Sequence, residues 1–199
     1  MIKKVLSGDE IKQILYSVIE YEIGRKNIQT GITSDIELSR KYIELIMSKC
    51  IVKLDIESNH NNDDHFYATI VTTLSEALLH FMLTICTLPS ERKIAIKNDL
   101  SLDVIIPSLQ NLKVKPERSI IVQFIKEKMD LNNVPQLQSL QPHHKNIWLI
   151  SAKPLSLTTK HTKYYILSNV EPHNEFSNII IDIDNFLRET GDKSFRLVH

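Results

Sequence analysis

Four side chains in the middle of the chain are of types that can bind a metal ion or supply a positive charge beside it. Asp103 lies at the start of the apolar run LDVIIP, and Gln123 is the polar residue inside a second apolar run, SIIVQFI. Lys126 follows that second run, and Glu76 interrupts an apolar segment upstream. Carboxylate oxygens are ligands for Mg²⁺, and a cation near the attacking water or the scissile phosphate assists hydrolysis. Metal-dependent hydrolysis would require the fold to bring the four together.

Each of these residues also has a structural interpretation. Asp103 could accept backbone N–H bonds at the start of its strand, and a buried Gln123 needs a hydrogen-bond partner in any case. A Glu is almost never fully buried unless it is paired, so Glu76 should either pair with a Lys or Arg such as Lys97 or lie at the mouth of a cleft. Lys126 lies three positions after Gln123, so a regular strand points it to the opposite face unless a bulge brings it round.

Apolar periodicity predicts the elements that position these residues. Residues 66–86 form a long, central, largely buried helix, which Pro89 ends. RKIAIK, LDVIIP and SIIVQFI are strands, VPQLQSLQ is a helix and NIWLIS is a buried strand; NLKVKPER is a turn, as is the pair at 98–99. SIIVQFI should be buried on both faces because it hardly alternates. TKYYILS, EFSNIIIDIDNFLRET and SFRLVH then predict a strand, an amphipathic helix and a last strand.

The segment 1–57 is predicted to be an N-terminal helical extension with one strand, ahead of an α/β core over 66–199. Capping boxes at Ser7 and Ser34 open two helices, and the first should end near Gly24. IVKLDIE, at 51–57, alternates and predicts a half-exposed strand. The predicted gap between these two helices, 25–33, is too long for the turn of a helix-turn-helix motif. This length argues against sequence-specific DNA binding by the helix pair. We expect the helices to cover the sheet or to pair with a second copy.

Composition indicates one ordinary globular domain. The chain has 199 residues with 42% hydrophobic residues and a formal net charge of zero, which argues against a strongly basic nucleic-acid binder. A local basic cluster of Lys113, Lys115 and Arg118, joined by Lys126 and Lys128, could still contact phosphate.

The cysteines and histidines indicate no metal centre of their own. Cys50 and Cys86 lie in apolar patterns and are expected to be buried thiols. The polar loop at 58–65 and the pair His143–His144 lack the spacing of a zinc site, so we interpret both as solvated loops. The N-terminus turns polar too early for a signal peptide, and no apolar run is long enough to span a bilayer. A cytoplasmic protein without membrane contact is expected.

The order of elements over 66–151 is helix, strand, strand, strand, helix, strand. It is similar to the core of the restriction-endonuclease-like PD-(D/E)xK nuclease superfamily, and the chain also looks like uncharacterised archaeal members of it. The resemblance implies that Asp103 is the first acid of the motif and Glu76 the acid of the helix. Gln123 stands where the family has its second acid, and Ile125 stands where it has its lysine.

Three hypotheses follow, all with a mixed central β-sheet flanked by helices. The first is a degenerate, non-catalytic member that needs no cofactor and acts as a binding or assembly module, as a dimer. The second is an active Mg²⁺-dependent nuclease of DNA or RNA, in which Asp103, Gln123 and Lys126 act at the reaction centre and Asp103 and Glu76 bind the metal. The third is an unrelated α/β protein-interaction domain. Convergence of the site residues would favour the second, and non-adjacent Asp103 and Gln123 strands would favour the third.

Overall fold

The computed structural model describes residues 6–58, 64–96, 100–155, 160–167 and 175–191. It is an α/β fold with a mixed five-stranded sheet flanked by helices and preceded by a helical segment, as predicted. The helices are α1 (Gly8–Ser17), α2 (Arg25–Ser34), α3 (Leu38–Ser58), α4 (Asp64–Ile85), α5 (Leu109–Val114), α6 (Val134–Leu140) and α7 (Ile179–Glu189). The strands are β1 (Glu91–Ala95), β2 (Ser101–Ile106), β3 (Ile120–Ile125), β4 (Ile147–Ser151) and β5 (Thr162–Tyr165).

The strands lie in the sheet in their chain order, β1-β2-β3-β4-β5. The pairs β1–β2 and β2–β3 are antiparallel, whereas β3–β4 and β4–β5 are parallel. A parallel pair needs a crossover connection, and α6 lies in the one between β3 and β4. The element order from α4 to β4 therefore contains the predicted helix, three strands, helix and strand, with β2 and β3 as neighbours.

One helix, α5, lies where the sequence predicted only a turn between β2 and β3. Ser108 caps it, because its Oγ accepts a hydrogen bond from the backbone N–H of Asn111 at 3.2 Å. Leu112 is buried against the sheet and anchors the short helix.

The sheet separates two apolar clusters, and β3 contributes to both. Val122 and Phe124 pack into the larger cluster, which contains the buried residues of α4. Ile121 and Ile125 pack into the smaller cluster, together with Leu137 of α6. This arrangement confirms that β3 is buried on both faces, and it explains why its sequence does not alternate.

The central helix α4 is buried as predicted. Four of its side chains have no exposed surface: Leu74, Leu78, Leu79 and Met82. Contrary to the expectation that no apolar run is long enough to span a bilayer, this helix could do so by length and hydropathy, but 67% of its apolar window is buried inside the protein. Its apolar surface is thus accounted for by the core that it forms with the sheet and the other helices.

The first capping box forms as predicted, and the second does not. The Oγ of Ser7 accepts from the N–H of Glu10 at 3.2 Å, and Glu10 Oε2 accepts from the N–H of Ser7 at 2.8 Å. Ser34 instead donates its hydroxyl to the carbonyl of Gly31, which places it at the end of α2. The segment 25–33 was predicted as a gap but lies within α2, which begins directly after Gly24.

The prediction of a strand at 51–57 is wrong, because α3 continues through this segment. Met47, Cys50 and Leu54 are buried at spacings of three and four residues, which is a helical stripe. Lys53 alternates with apolar neighbours, but on the helix it reaches Glu22 at 2.7 Å. The described part of the N-terminal extension therefore contains helices joined by short connections and no strand.

Both cysteines are buried and reduced, as expected. Residues 59–63 of the polar loop, the turn at 98–99 and the predicted last strand SFRLVH lie outside the described residues. The remaining predicted helices and strands of the core are present.

Candidate active site

The strands β2 and β3 part at Asp103 and Gln123, and side chains bridge the resulting fork. The backbone pairs of the two strands run from Ile106–Ile120 to Val104–Val122. At the next position Asp103 Oδ2 accepts a hydrogen bond from the N–H of Phe124 at 2.8 Å. The N–H of Asp103 in turn donates to Gln123 Oε1 over a longer distance of 3.4 Å. Asp103 thus accepts a backbone N–H, as the structural interpretation expected, but it does so across the fork.

Lys93, which the sequence analysis did not single out, lies opposite Asp103 on β1. Its backbone has φ +50°, and it stands between the pairs Arg92–Val104 and Ile94–Leu102. A left-handed conformation costs a residue other than glycine about 1–2 kcal/mol. The Lys93 Nζ lies 2.7 Å from Asp103 Oδ1. A positive φ inside a strand leaves no signature in the residue type, so sequence reasoning could not find this lysine.

Glu76 brings α4 to the same point. Its Oε1 lies 2.5 Å from Lys93 Nζ, and its Oε2 lies 2.8 Å from Lys126 Nζ. Its predicted pairing is therefore present, but with these two lysines; Lys97 lies outside the described residues. Glu76, Lys93, Asp103 and Lys126 form one continuous ion-pair network, which we call the fork cluster, with Gln123 beside it.

Lys126 reaches the fork cluster on the face of β3 that α4 covers. Val122 and Phe124 point to that face, whereas Ile121 and Ile125 point to the other, so regular alternation places Lys126 beside α4 and opposite to Gln123, as predicted. The pairing of β3 with β4 continues one-to-one as far as Ile125–Ser151, so no bulge turns the lysine. After the strand ends at Ile125, Asp130 Oδ2 accepts hydrogen bonds from the N–H groups of Lys126 and Glu127 at 2.8 and 2.9 Å.

Burial and ion pairing act differently on the two carboxyl groups. Asp103 and Glu76 are only 7% and 8% exposed. Burial raises the pKa of Asp103, and hydrogen bonds from Lys93 and the Phe124 N–H oppose that rise without reversing it. For Glu76 burial again favours the neutral form, but the two lysine bonds outweigh it and hold its pKa below the ordinary value. The two lysines therefore favour the charged form of Glu76 over the effect of burial, whereas Lys93 only reduces the effect of burial on Asp103.

His80 follows Glu76 by one turn of α4. Its Nε2 is buried and has no hydrogen-bond partner among the described residues. Burial and, to a smaller extent, the charges of Arg92 and Lys93 lower the pKa of His80 from 6.5 to about 4, although Glu76 opposes the shift. A neutral imidazole therefore borders the fork cluster near neutral pH.

The basic cluster predicted to contact phosphate lies away from the fork. Lys113, Lys115 and Arg118 are exposed on the connection that leaves β2 at its far end from Asp103. The side chain of Lys128 lies outside the described residues. Of the five predicted basic residues, the structure places Lys126 at the carboxylates and puts Lys113, Lys115 and Arg118 elsewhere.

The histidine pair also lies elsewhere. His143 and His144 are exposed and line a cavity of about 410 Å³ with Lys145 and Lys160, next to the starts of β4 and β5. Within the described ranges no three His, Cys, Asp or Glu side chains gather as a metal-binding group.

The donor set at the fork suits Mg²⁺ better than a softer metal. It offers two buried carboxylates and the amide oxygen of Gln123, with no sulfur or imidazole ligand among these residues. Mg²⁺ is commonly held by one or two carboxylates, with water and substrate phosphate completing its shell. Comparisons with protein-family models, with curated proteins and with solved structures find no match to this chain.

Proposed function

We propose that this protein is a divalent-metal-dependent nuclease with a restriction-endonuclease-like core. The observation that supports this best is the ion-pair network that joins Glu76, Asp103 and Lys126 through Lys93, with Gln123 bonded to the N–H of Asp103. The element order from α4 to β4 supports the same proposal. The degenerate hypothesis was motivated by Ile125 in place of the lysine and Gln123 in place of the second acid. The ion pair of Lys126 with Glu76 supports a lysine at the site from the next position along the chain, while Gln123 still differs from the family pattern.

In this proposal Glu76 and Asp103 hold the metal ion, and Gln123 supplies a neutral oxygen. When bound, Mg²⁺ would polarise a phosphoryl oxygen and make a coordinated water more acidic. Lys126 would bind a non-bridging phosphate oxygen, where negative charge accumulates as water adds and the bond to the leaving oxygen breaks. A fixed cation at that position stabilises the transition state more than the ground state.

A second candidate function is a non-catalytic binding or assembly module, including the dimer expected from the sequence. It is favoured by the saturation of the carboxylates: Asp103 accepts from Lys93 and the Phe124 N–H, and Glu76 accepts from Lys93 and Lys126. All four oxygens already have donors from the chain itself. Such a neutral network could serve the fold alone.

A cleavage assay separates the two candidates. Single-stranded, duplex and branched DNA and RNA would be incubated with the protein in Mg²⁺, in Mn²⁺ and in EDTA. The nuclease proposal expects products with either metal and none in EDTA, and no products from Glu76→Gln prepared in the same way. Absence of cleavage on every substrate by folded wild-type protein would support the binding module instead.

A further inference from the structure

We propose that Lys93 is a resident cation, whose ammonium group occupies the place between Glu76 and Asp103 that a divalent metal ion would take. The inference deepens the proposed function and rests on its metal site. It concerns how the metal-free protein keeps two buried carboxylates together and what a metal ion must displace in order to bind.

The geometry of the ammonium group carries the inference. Lys93 Nζ lies 2.5 Å from Glu76 Oε1 and 2.7 Å from Asp103 Oδ1, so one positive charge bridges α4 and β2. Lys126 cannot replace it, because its contact in the fork cluster is with Glu76. A cation between two carboxylates reduces their mutual repulsion as a shared metal ion would, although the ammonium group carries one positive charge and a divalent ion carries two.

The backbone at Lys93 supports a dedicated role. Its φ of +50° lies in a strand whose flanking residues keep their regular partners on β2. Unfavourable conformations of this kind persist where the surroundings hold them and are concentrated at functional sites. The side chain is also 52% exposed, in contrast to the carboxylates that it bridges, so it has room to swing outward.

If a metal ion must displace Lys93, the ion and the ammonium group compete for the same two carboxylates. If the bridged arrangement dominates in the metal-free protein, the apparent affinity for the metal falls by the fraction of molecules in which the site is open. Removing the ammonium group should therefore increase the affinity for Mn²⁺ at least about tenfold. Lys93→Arg keeps the charge and should leave the affinity low.

Titration calorimetry with Mn²⁺ alone tests the inference on Lys93→Met, Lys93→Arg and wild type, with Lys126→Met and the exposed Lys41→Met for comparison. The expected result is tighter binding in Lys93→Met than in every other protein. An unchanged affinity in Lys93→Met, or an equal gain in Lys126→Met, would overturn the specific role of Lys93. Because no nucleic acid is present, the outcome does not depend on cleavage: tighter binding without any nuclease activity would retain the inference and remove the proposed function.

A second measurement uses the wild-type protein and so does not depend on the folding of a variant. Brief acetylation with acetic anhydride, followed by mass spectrometry, would compare Lys93 in EDTA and in saturating Mn²⁺. Displacement predicts increased labelling of Lys93 in Mn²⁺ and constant labelling of Lys41. Equal labelling of Lys93 with Mn²⁺ bound would overturn the inference.

Discussion

Lys126 Nζ lies 2.8 Å from Glu76 Oε2 and thereby joins the end of β3 to the middle of α4. This contact completes a cluster in which acids from a helix and a strand meet lysines from two other segments. Lys126 lies on the same face of β3 as Val122 and Phe124, which pack with α4, so the regular alternation of the strand places it there. Asp130 holds the turn that follows by accepting a hydrogen bond from the N–H of Lys126.

If Lys126 stabilises charge on the phosphate, replacing it should slow turnover more than it weakens binding. We expect Lys126→Met to reduce kcat by about 10²–10³-fold, with a much smaller change in KM. Single-turnover and steady-state kinetics on the best substrate would measure both. Lys41→Met, at an exposed position on α3, serves as the control and should leave kcat unchanged. Equal kcat values in Lys126→Met and wild type would exclude the lysine from the reaction.

Gln123 allows a test in which a charged group is added to the site, because an acid can be introduced there. Gln123→Glu would keep an oxygen to accept the Asp103 N–H and would add a third carboxylate at the fork. Hard divalent cations bind more tightly as ligand charge increases, so the Mn²⁺ affinity should rise.

Calorimetry with Mn²⁺ would measure this change, and Gln110→Glu, at an exposed position of α5, is the matched control. An affinity that stays the same in Gln123→Glu would mean that the side chain does not face the metal.

His80 should make the fold sensitive to acid. Its pKa is about 4 in the folded protein and 6.5 in an ordinary environment. Between pH 4 and pH 6.5 the unfolded chain therefore binds more protons at His80 than the folded chain does. The contribution of His80 to the free energy of unfolding is full above about pH 6.5 and is lost as the pH falls toward 4. After allowance for partial exposure, the loss should be on the order of 1 kcal/mol.

Urea unfolding at pH 7 and pH 4.5 would measure this loss in wild type and in His80→Leu. The variant should lose less stability between the two pH values, whereas His143→Asn, at an exposed site, should behave like wild type. Identical pH dependence in His80→Leu and wild type would contradict the assignment.

Gln141 should be a strong determinant of stability. It is fully buried, and its Nε2 donates to the carbonyls of Pro116 and Ser119, both at 2.8 Å. Its Oε1 accepts from the N–H of His143 at 3.0 Å. Gln141→Leu leaves these backbone groups unsatisfied and should cost about 3 kcal/mol of unfolding free energy.

The shift in urea midpoint would report that cost. Gln110→Leu, an exposed glutamine-to-leucine change, should shift stability by only about 0.5 kcal/mol or less. Similar midpoints for the two variants would show that Gln141 does not hold the connections before β3 and β4 together.

Much of the core could be predicted because its strands have strong local signals. The sequence of β3 hardly alternates and predicted burial on both faces, and the length of the apolar segment over α4 predicted a central helix. The strand predicted at 51–57 was wrong because apolar and charged residues alternate there over only a few positions. The same stretch belongs to a helical stripe that includes Cys50 and Leu54, and only a longer window distinguishes the strand period from the helical one.

The candidate site was predictable in part. Asp103, Glu76 and Gln123 are polar residues inside apolar runs, a pattern that marks candidate site residues in a sequence. Alternation along β3 also predicted that Lys126 points away from Gln123. That α4 brings Glu76 to this face could not be predicted, because the position of a helix over a sheet depends on tertiary packing. The place of Lys93 in the site could not be predicted, because it depends on a left-handed backbone conformation that only tertiary contacts impose.

The most direct test of the nuclease proposal compares Asp103→Asn with Asp9→Asn, an identical change at an exposed acid on α1. The rate of Mg²⁺-dependent cleavage of the best substrate would be measured for both variants and for wild type. The proposal predicts a loss of at least about 100-fold in Asp103→Asn, because metal binding is worth several kcal/mol to the reaction, and no loss in Asp9→Asn. Cleavage by folded Asp103→Asn at the wild-type rate would contradict it.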